Sequence, residues 1–161
     1  MTRPQFRSTA SFTRRTRTTT VVERATFVLF SIGGKRFAAP VEVVDRVERP
    51  TAAMFAAHDG CRAPETGLFL DIAAPLGVAL GTGEATSRRV LVVTLPHGAC
   101  RIPVDAVHEV AAIDAALVLP LDRDDPSHES AGLRARFERQ EAWVYVVDLV
   151  RLLSPRTDVR R

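Results

Sequence analysis

The stretch TFVLFSIGGKRFAAPVEVVDRVERP, residues 26–50, decides the fold. Phe27, Val28, Leu29, Phe30 and Ser31, closed by Ile32, form a run of high strand propensity. It meets the pair Gly33 and Gly34, and a second extended run over residues 35–39 follows at once. Two adjacent glycines take the positive φ angles that a tight turn between twisted strands demands, so residues 27–39 read as a β-hairpin. Pro40 has no amide donor and ends the second strand or sits at its edge. Beyond it Val41, Val43 and Val47 alternate with charged residues while Val44 interrupts the period. The chain therefore bends or makes a short helical turn near Val44 before entering a third strand.

Outward from this unit, residues 51–65 form a weakly patterned connection, and residues 67–72 (GLFLDI) a short apolar strand ending in a carboxylate. Residues 73–77 read as a brief turn or helix leading to a loop over 81–87. Residues 88–95 (RRVLVVTL) are β-branched and nearly continuous in apolar side chains, hence a strand buried on both faces. After a turn at Pro96, His97 and Gly98, residues 99–110 repeat the logic of the opening: strand, proline, then valines spaced among acids. The segments 36–41 (RFAAPV) and 99–104 (ACRIPV) look like one device used twice and suggest two similar β lobes. Residues 111–121 read as a link and 122–130 as a polar loop. Residues 132–138 alternate Leu133, Ala135 and Phe137 against Arg134, Arg136 and Glu138, a half-exposed strand. Residues 142–147 (AWVYVV) form its partner. Asp148 is placed to cap a helix whose apolar face is Leu149, Leu152 and Leu153, with Pro155 ending it.

The chain of 161 residues is long enough for one compact domain or two small lobes sharing a core. Its net charge of +3 is unevenly spread. Residues 1–24 hold six arginines against Glu23, and residues 155–161 three against Asp158, which leaves the body at −4. The expected organisation is a mobile basic tail over 1–24, a body over 25–154 and a short tail over 155–161. A nucleic-acid binder carries its basic patch on the folded body among stacking aromatics, and this body is acidic. A small β-barrel that binds nucleic acid through the arginine tail is the rival reading. The leader is rich in Arg, Ser and Thr like a transit peptide, but its arginines are not spaced on one face of an apolar helix. No apolar run reaches the roughly 18 residues of a membrane span, and no apolar stretch marks a secretory signal. Cys61 and Cys100 could pair, but a chain of this size needs no staple, and a reducing cytosol is the simpler assumption.

Motifs for chemistry are missing. His58, His97, His108 and His128 lie in separate segments without zinc-site spacing, there is no G-x-S-x-G, and the glycines near Lys35 and Thr82 do not complete a phosphate loop. Asp71, Asp105, Glu109 and Asp148 each end an apolar run, the usual place of turn and helix caps. No cofactor and no catalysis are expected.

Four ordered segments resemble the CheW-like coupling proteins of bacterial chemosensory arrays. Residues 30–41 with 43–47 (VVDRV) are similar to that family's first hairpin and V-x-E-V/I stretch, and 68–72 (LFLDI) to its P-V-I-D-L strand. Residues 102–110 (IPVDAVHEV) are similar to its V-D-x-V-x-E-V run, the most specific of the four, and 143–153 to its closing L-L-D-L-x-x-L-L. The resemblance implies two intertwined five-stranded SH3-like β-barrels and a noncatalytic, cytoplasmic adaptor. Such an adaptor holds the regulatory domain of a chemotaxis-type histidine kinase against the cytoplasmic tips of chemoreceptors. Carried over by position, the candidate partner contacts are Val43, Val44 and Val47 on the first lobe and Val104, Asp105, Val107 and Glu109 on the second. Two positions depart from the family pattern. Arg46 stands where it has Glu, and Cys61-Arg62-Ala63-Pro64 replaces N-L-R-G, with Arg62 one place from the expected arginine. Arg46 and Arg62 join the candidate contacts.

Overall fold

A computed structural model describes residues 20–51, 68–81, 87–96, 98–121 and 132–153. The opening hairpin is as the sequence predicts. Strand β1 (Arg24–Ile32) and strand β2 (Lys35–Pro40) pair antiparallel, from Ile32 opposite Lys35 to Phe27 opposite Pro40. The turn puts Gly33 at φ 60° and Gly34 at φ 77°. A Cβ on Gly33 would lie 2.5 Å from the carbonyl oxygen of Ala79, whereas one on Gly34 would meet nothing. Gly33 is thus required twice, for its backbone angle and for a close backbone approach. The broken valine period is a single 3-10 turn, Val41–Val43, after which β3 (Val44–Glu48) begins.

Among the described residues the remaining elements are β4 (Leu68–Phe69), β5 (Arg89–Leu95), β6 (Gly98–Val104), β7 (Ala106–Asp114), a 3-10 turn (Ala115–Leu117), β8 (Leu119–Pro120), β9 (Leu133–Arg139), β10 (Ala142–Val147) and helix α1 (Leu149–Leu153). Two expectations are corrected. Of the strand read over 67–72, the described residues 70–72 are not strand and only Leu68 and Phe69 are, because the Asp71 carboxylate accepts the Ala73 N–H at 2.8 Å and starts the turn over 73–77. The link read over 111–121 is largely strand. Ala111–Asp114 continue β7 along the whole of β1, with Ala111 and Ile113 buried, and Leu119–Pro120 pair with β9. Residues 1–19 of the tail, the connection containing Cys61 and Arg62, residues 82–86 of the loop read over 81–87, His97, the polar loop over 122–130 and the end from 154 lie outside the described residues.

The strands form a six-stranded sheet, β7-β1-β2-β10-β9-β8, and a four-stranded sheet, β3-β5-β6-β4. The two exchange strands reciprocally. Hairpin β1–β2 sits in the larger sheet and sends β3 to the smaller, where it pairs with β5; hairpin β5–β6 sits in the smaller and sends β7 back to pair with β1. This is the device that the sequence uses twice.

Among the described residues the strands divide six and four where five and five were expected, and neither sheet closes through hydrogen bonds. The larger one is nevertheless strongly coiled. Its outer strands β7 and β8 are five spacings apart, about 24 Å on a flat sheet. The link between them, part of it a 3-10 turn, reaches at most about 18 Å fully extended. Coiling brings Phe27 of β1 to Phe137 of β9, ring centroids 5.5 Å apart. The apolar interior of this coil holds Phe27, Leu29, Ala38, Phe137, Val144 and Val146. A second core unites the sheets: Phe30, Ile32 and Phe37 meet Leu91, Val93 and Ile102, with Leu149 of α1. Strand β5 is the centre of the smaller sheet, and Val90, Leu91, Val92 and Val93 are all fully buried, as its unbroken apolar run requires. Helix α1 is capped as expected, the Asp148 carboxylate accepting the Arg151 N–H at 3.0 Å.

Candidate functional site

The two stretches singled out as partner surfaces occupy equivalent places. Strand β3 is an outer strand of the smaller sheet and β7 an outer strand of the larger one, and each is bulged. In β3, Val44 faces Val93 and Arg46 faces Val92, so Asp45 is the extra residue. In β7, Phe30 faces Val107 and Leu29 faces Glu109, so His108 is. The bulges align V-D-R-V (44–47) with V-H-E-V (107–110), which extends the internal repeat beyond what the sequence suggested. Each edge then exposes one valine beside a charge: Val47, 42% exposed, beside Arg46, and Val110, 61% exposed, beside Glu109. The charges have opposite signs.

On the first edge, Val43 and Val44 are half-buried and pack against the shared core, with Val47 outside it. Arg46 is exposed and held by two acids. It donates to the Asp45 carboxylate at 2.7 Å and the Glu48 carboxylate at 2.8 Å, and Glu48 accepts a further bond from Arg101 of β6 at 3.2 Å. Glu48 is held below the usual carboxylate range by Arg46 first and Arg101 second, and its hydrogen bond raises the Arg46 guanidinium above its ordinary value. Arginine at this position is therefore balanced within its own strand.

On the second edge the predicted residues separate by role. Val104 is fully buried, so its side chain belongs to the core and offers no surface to a partner, a correction to its place among the contacts. Its neighbours Ile102 and Pro103 are buried too, since β6 lies between β5 and β4. Asp105 is a clasp. Its carboxylate accepts the Gly33 N–H at 2.7 Å and the Gly81 N–H at 2.9 Å, and its own N–H donates to the Ser31 carbonyl at 2.9 Å. It ties the crossover into β7 to the first hairpin. Val107 is half-buried against the shared core. Glu109 accepts two bonds from Arg139 of β9, at 2.6 and 3.0 Å, and this bidentate pair lowers the Glu109 pKa from its ordinary 4.5. Arg62 lies outside the described residues.

Sequence reasoning missed Val110 as a surface residue, although the alternation Val107-His108-Glu109-Val110 would have assigned it had the bulge been known. It also missed Trp143, 42% exposed, with the Arg136 guanidinium 4.2 Å from its ring centroid. Cys100 is buried, which pushes its thiol up to about 11 and leaves it unreactive. Among the described residues no three His, Cys, Asp or Glu side chains cluster as metal ligands, and no helix is long and apolar enough to cross a membrane.

Among solved structures, the scaffolding protein TtCheW from Thermoanaerobacter tengcongensis superimposes with a TM-score of 0.64, over 81% of this chain and 88% of that one. The chain has the CheW fold. Sequence identity across the match is 17%, so the likeness lies in architecture. No protein-family model matches the chain, and no curated protein does. The CheW fold nonetheless accounts for the ordered segments of the sequence, whose hairpins, valine-rich edges and closing strand-helix unit fall in sequence order across both sheets.

Proposed function

We propose that the chain is a noncatalytic chemosensory adaptor that couples a histidine kinase to chemoreceptors in the cytoplasm. The observation that carries this reading is the fold shared with a scaffolding protein of the CheW type. The two bulged outer strands support it. A strand edge with a solvent-facing valine beside a charge suits docking onto a similar β domain, through apolar contact at the centre and charge selection around it. On this reading the coiled sheet and its four-stranded partner act as the two SH3-like lobes. Val47 and Val110 contact the kinase regulatory domain, with Arg46 and Glu109 selecting it by charge. Val43, Val44 and Val107 support those contacts from beneath, and Asp105 fixes the relative placement of the lobes. The receptor tip is the second partner.

Calorimetric titration of the whole chain with the regulatory domain of its cognate kinase tests the reading. Binding in the micromolar range is expected. Val47→Asp or Val110→Asp should weaken it about tenfold or more, about 1.4 kcal/mol, because each puts a charge into an apolar contact. Absence of binding, or binding that neither substitution alters, contradicts it.

A further inference from the structure

Strands β8, β9 and β10 carry an exposed face on the outside of the coiled sheet, built around the chain's single tryptophan. Residues directly opposite in a strand pair project to the same side. Arg136 of β9 therefore stands between Leu119 of β8 and Tyr145 of β10, and Glu138 stands beside Trp143 of β10. Phe137, between the two charges, points the other way into the apolar interior. The face has three columns: Leu119 on one flank, a charged column on β9, and Trp143 with Tyr145 on the other flank. Leu119 is 45% exposed and Trp143 42%.

The order of charge along the middle column selects the occupant. It runs Arg134, Arg136, Glu138, and the turn that follows adds Glu141. Arg134, Glu138 and Glu141 are exposed and Arg136 is half-buried, and among the described residues none of the four is in a salt bridge. The Arg136 guanidinium lies 4.2 Å from the Trp143 ring centroid, an attraction that does not use up its N–H donors. A uniformly acidic partner would meet Glu138 and Glu141 at one end of this strip, and a uniformly basic one Arg134 and Arg136 at the other. A strip positive at one end and negative at the other complements a reversed copy of itself. A two-fold axis lying across β9 at the level of Phe137 sets two such strips antiparallel, so that Arg136 of each copy meets Glu138 of the other. The same rotation keeps each flank on its own side and brings Trp143 over Tyr145 of the second copy.

We propose that this face is a homodimer interface, with Trp143 as its anchor and the reversed charge strips setting its register. Tryptophan and arginine are the side chains that most often dominate such contacts, and charge complementarity fixes orientation. The face shares no residue with the bulged edges around Val47 and Val110, and kinase or receptor binding plays no part in the inference.

The test is sedimentation equilibrium of the full chain across the micromolar range, with tryptophan fluorescence read on the same samples. A monomer–dimer equilibrium is expected, with the Trp143 emission moving to shorter wavelength as the dimer forms. Trp143→Ser should weaken dimerisation about tenfold or more. Arg136→Glu alone and Glu138→Arg alone should each weaken it as well, because like charges then face each other across the axis. An equimolar mixture of these two variants should associate at least as tightly as the unaltered chain, since every position again faces its opposite charge, and this arm stands even if Trp143→Ser fails to fold. A monomer throughout that range, a dimer that forms without moving the Trp143 emission or that none of the substitutions weakens, or a mixture that stays dissociated overturns it.

Discussion

At the scale of single residues, two acids that the sequence placed side by side in one motif do different work. Glu109 is paired with Arg139, and its folded pKa lies below its ordinary value of 4.5. A carboxylate whose folded pKa is depressed contributes stability above its unfolded pKa and loses it as the pH falls through the folded value. A carboxyl-detected NMR titration should therefore show a Glu109 midpoint below 4.5 that moves upward in Arg139→Met; an unmoved midpoint contradicts the pair. Asp105 instead satisfies the backbone of Gly33 and Gly81. Asp105→Ala leaves those two donors without it and should cost about 1–3 kcal/mol in chemical denaturation. Neither role is visible in the string V-D-A-V-H-E-V. It shows acids at the ends of apolar runs, but Arg139 and Gly81 come from 30 and 24 residues away. The burial of Val104 was hidden for the same reason, since local alternation cannot say which strands flank β6.

At the scale of elements, legibility followed the strength of the local signal. The hairpin of β1 and β2 could be read because the glycine pair leaves few other conformations and the flanking residues are strong strand formers. Gly34→Ala should cost about 1–2 kcal/mol from backbone angle alone. Gly33→Ala should cost more, because the new Cβ would also meet the Ala79 carbonyl; equal thermal shifts in the two variants would show that this contact is relieved without penalty. Strand β5 was equally plain from its unbroken apolar run. The second half of β7, by contrast, reads Ala111-Ala112-Ile113-Asp114, and alanine has weak strand preference. Its extension is imposed by pairing with all of β1, a tertiary cause. The two-residue β4 was overestimated because Asp71 was read as the end of a strand when its side chain starts a turn.

At the scale of the whole molecule, the organising feature is the reciprocal exchange, in which each hairpin surrenders its next strand to the other sheet. The repeated proline-valine device hinted at two lobes. Nothing local could reveal that β3 and β7 leave their own hairpins, because that choice rests on pairings with strands far away in sequence. The exchange gives each sheet one bulged outer strand, Val47 on one and Val110 on the other, so that one body carries two such edges, both of which the proposed reading assigns to the kinase. The most direct measurement is reconstitution of receptor-bearing membranes with the cognate kinase, with and without this chain, followed by sedimentation. The account predicts that the kinase sediments with the membranes only when the chain is present, and that Val47→Asp together with Val110→Asp abolishes the effect. Kinase that sediments equally without the chain, or that stays in solution in its presence, would contradict the coupling role.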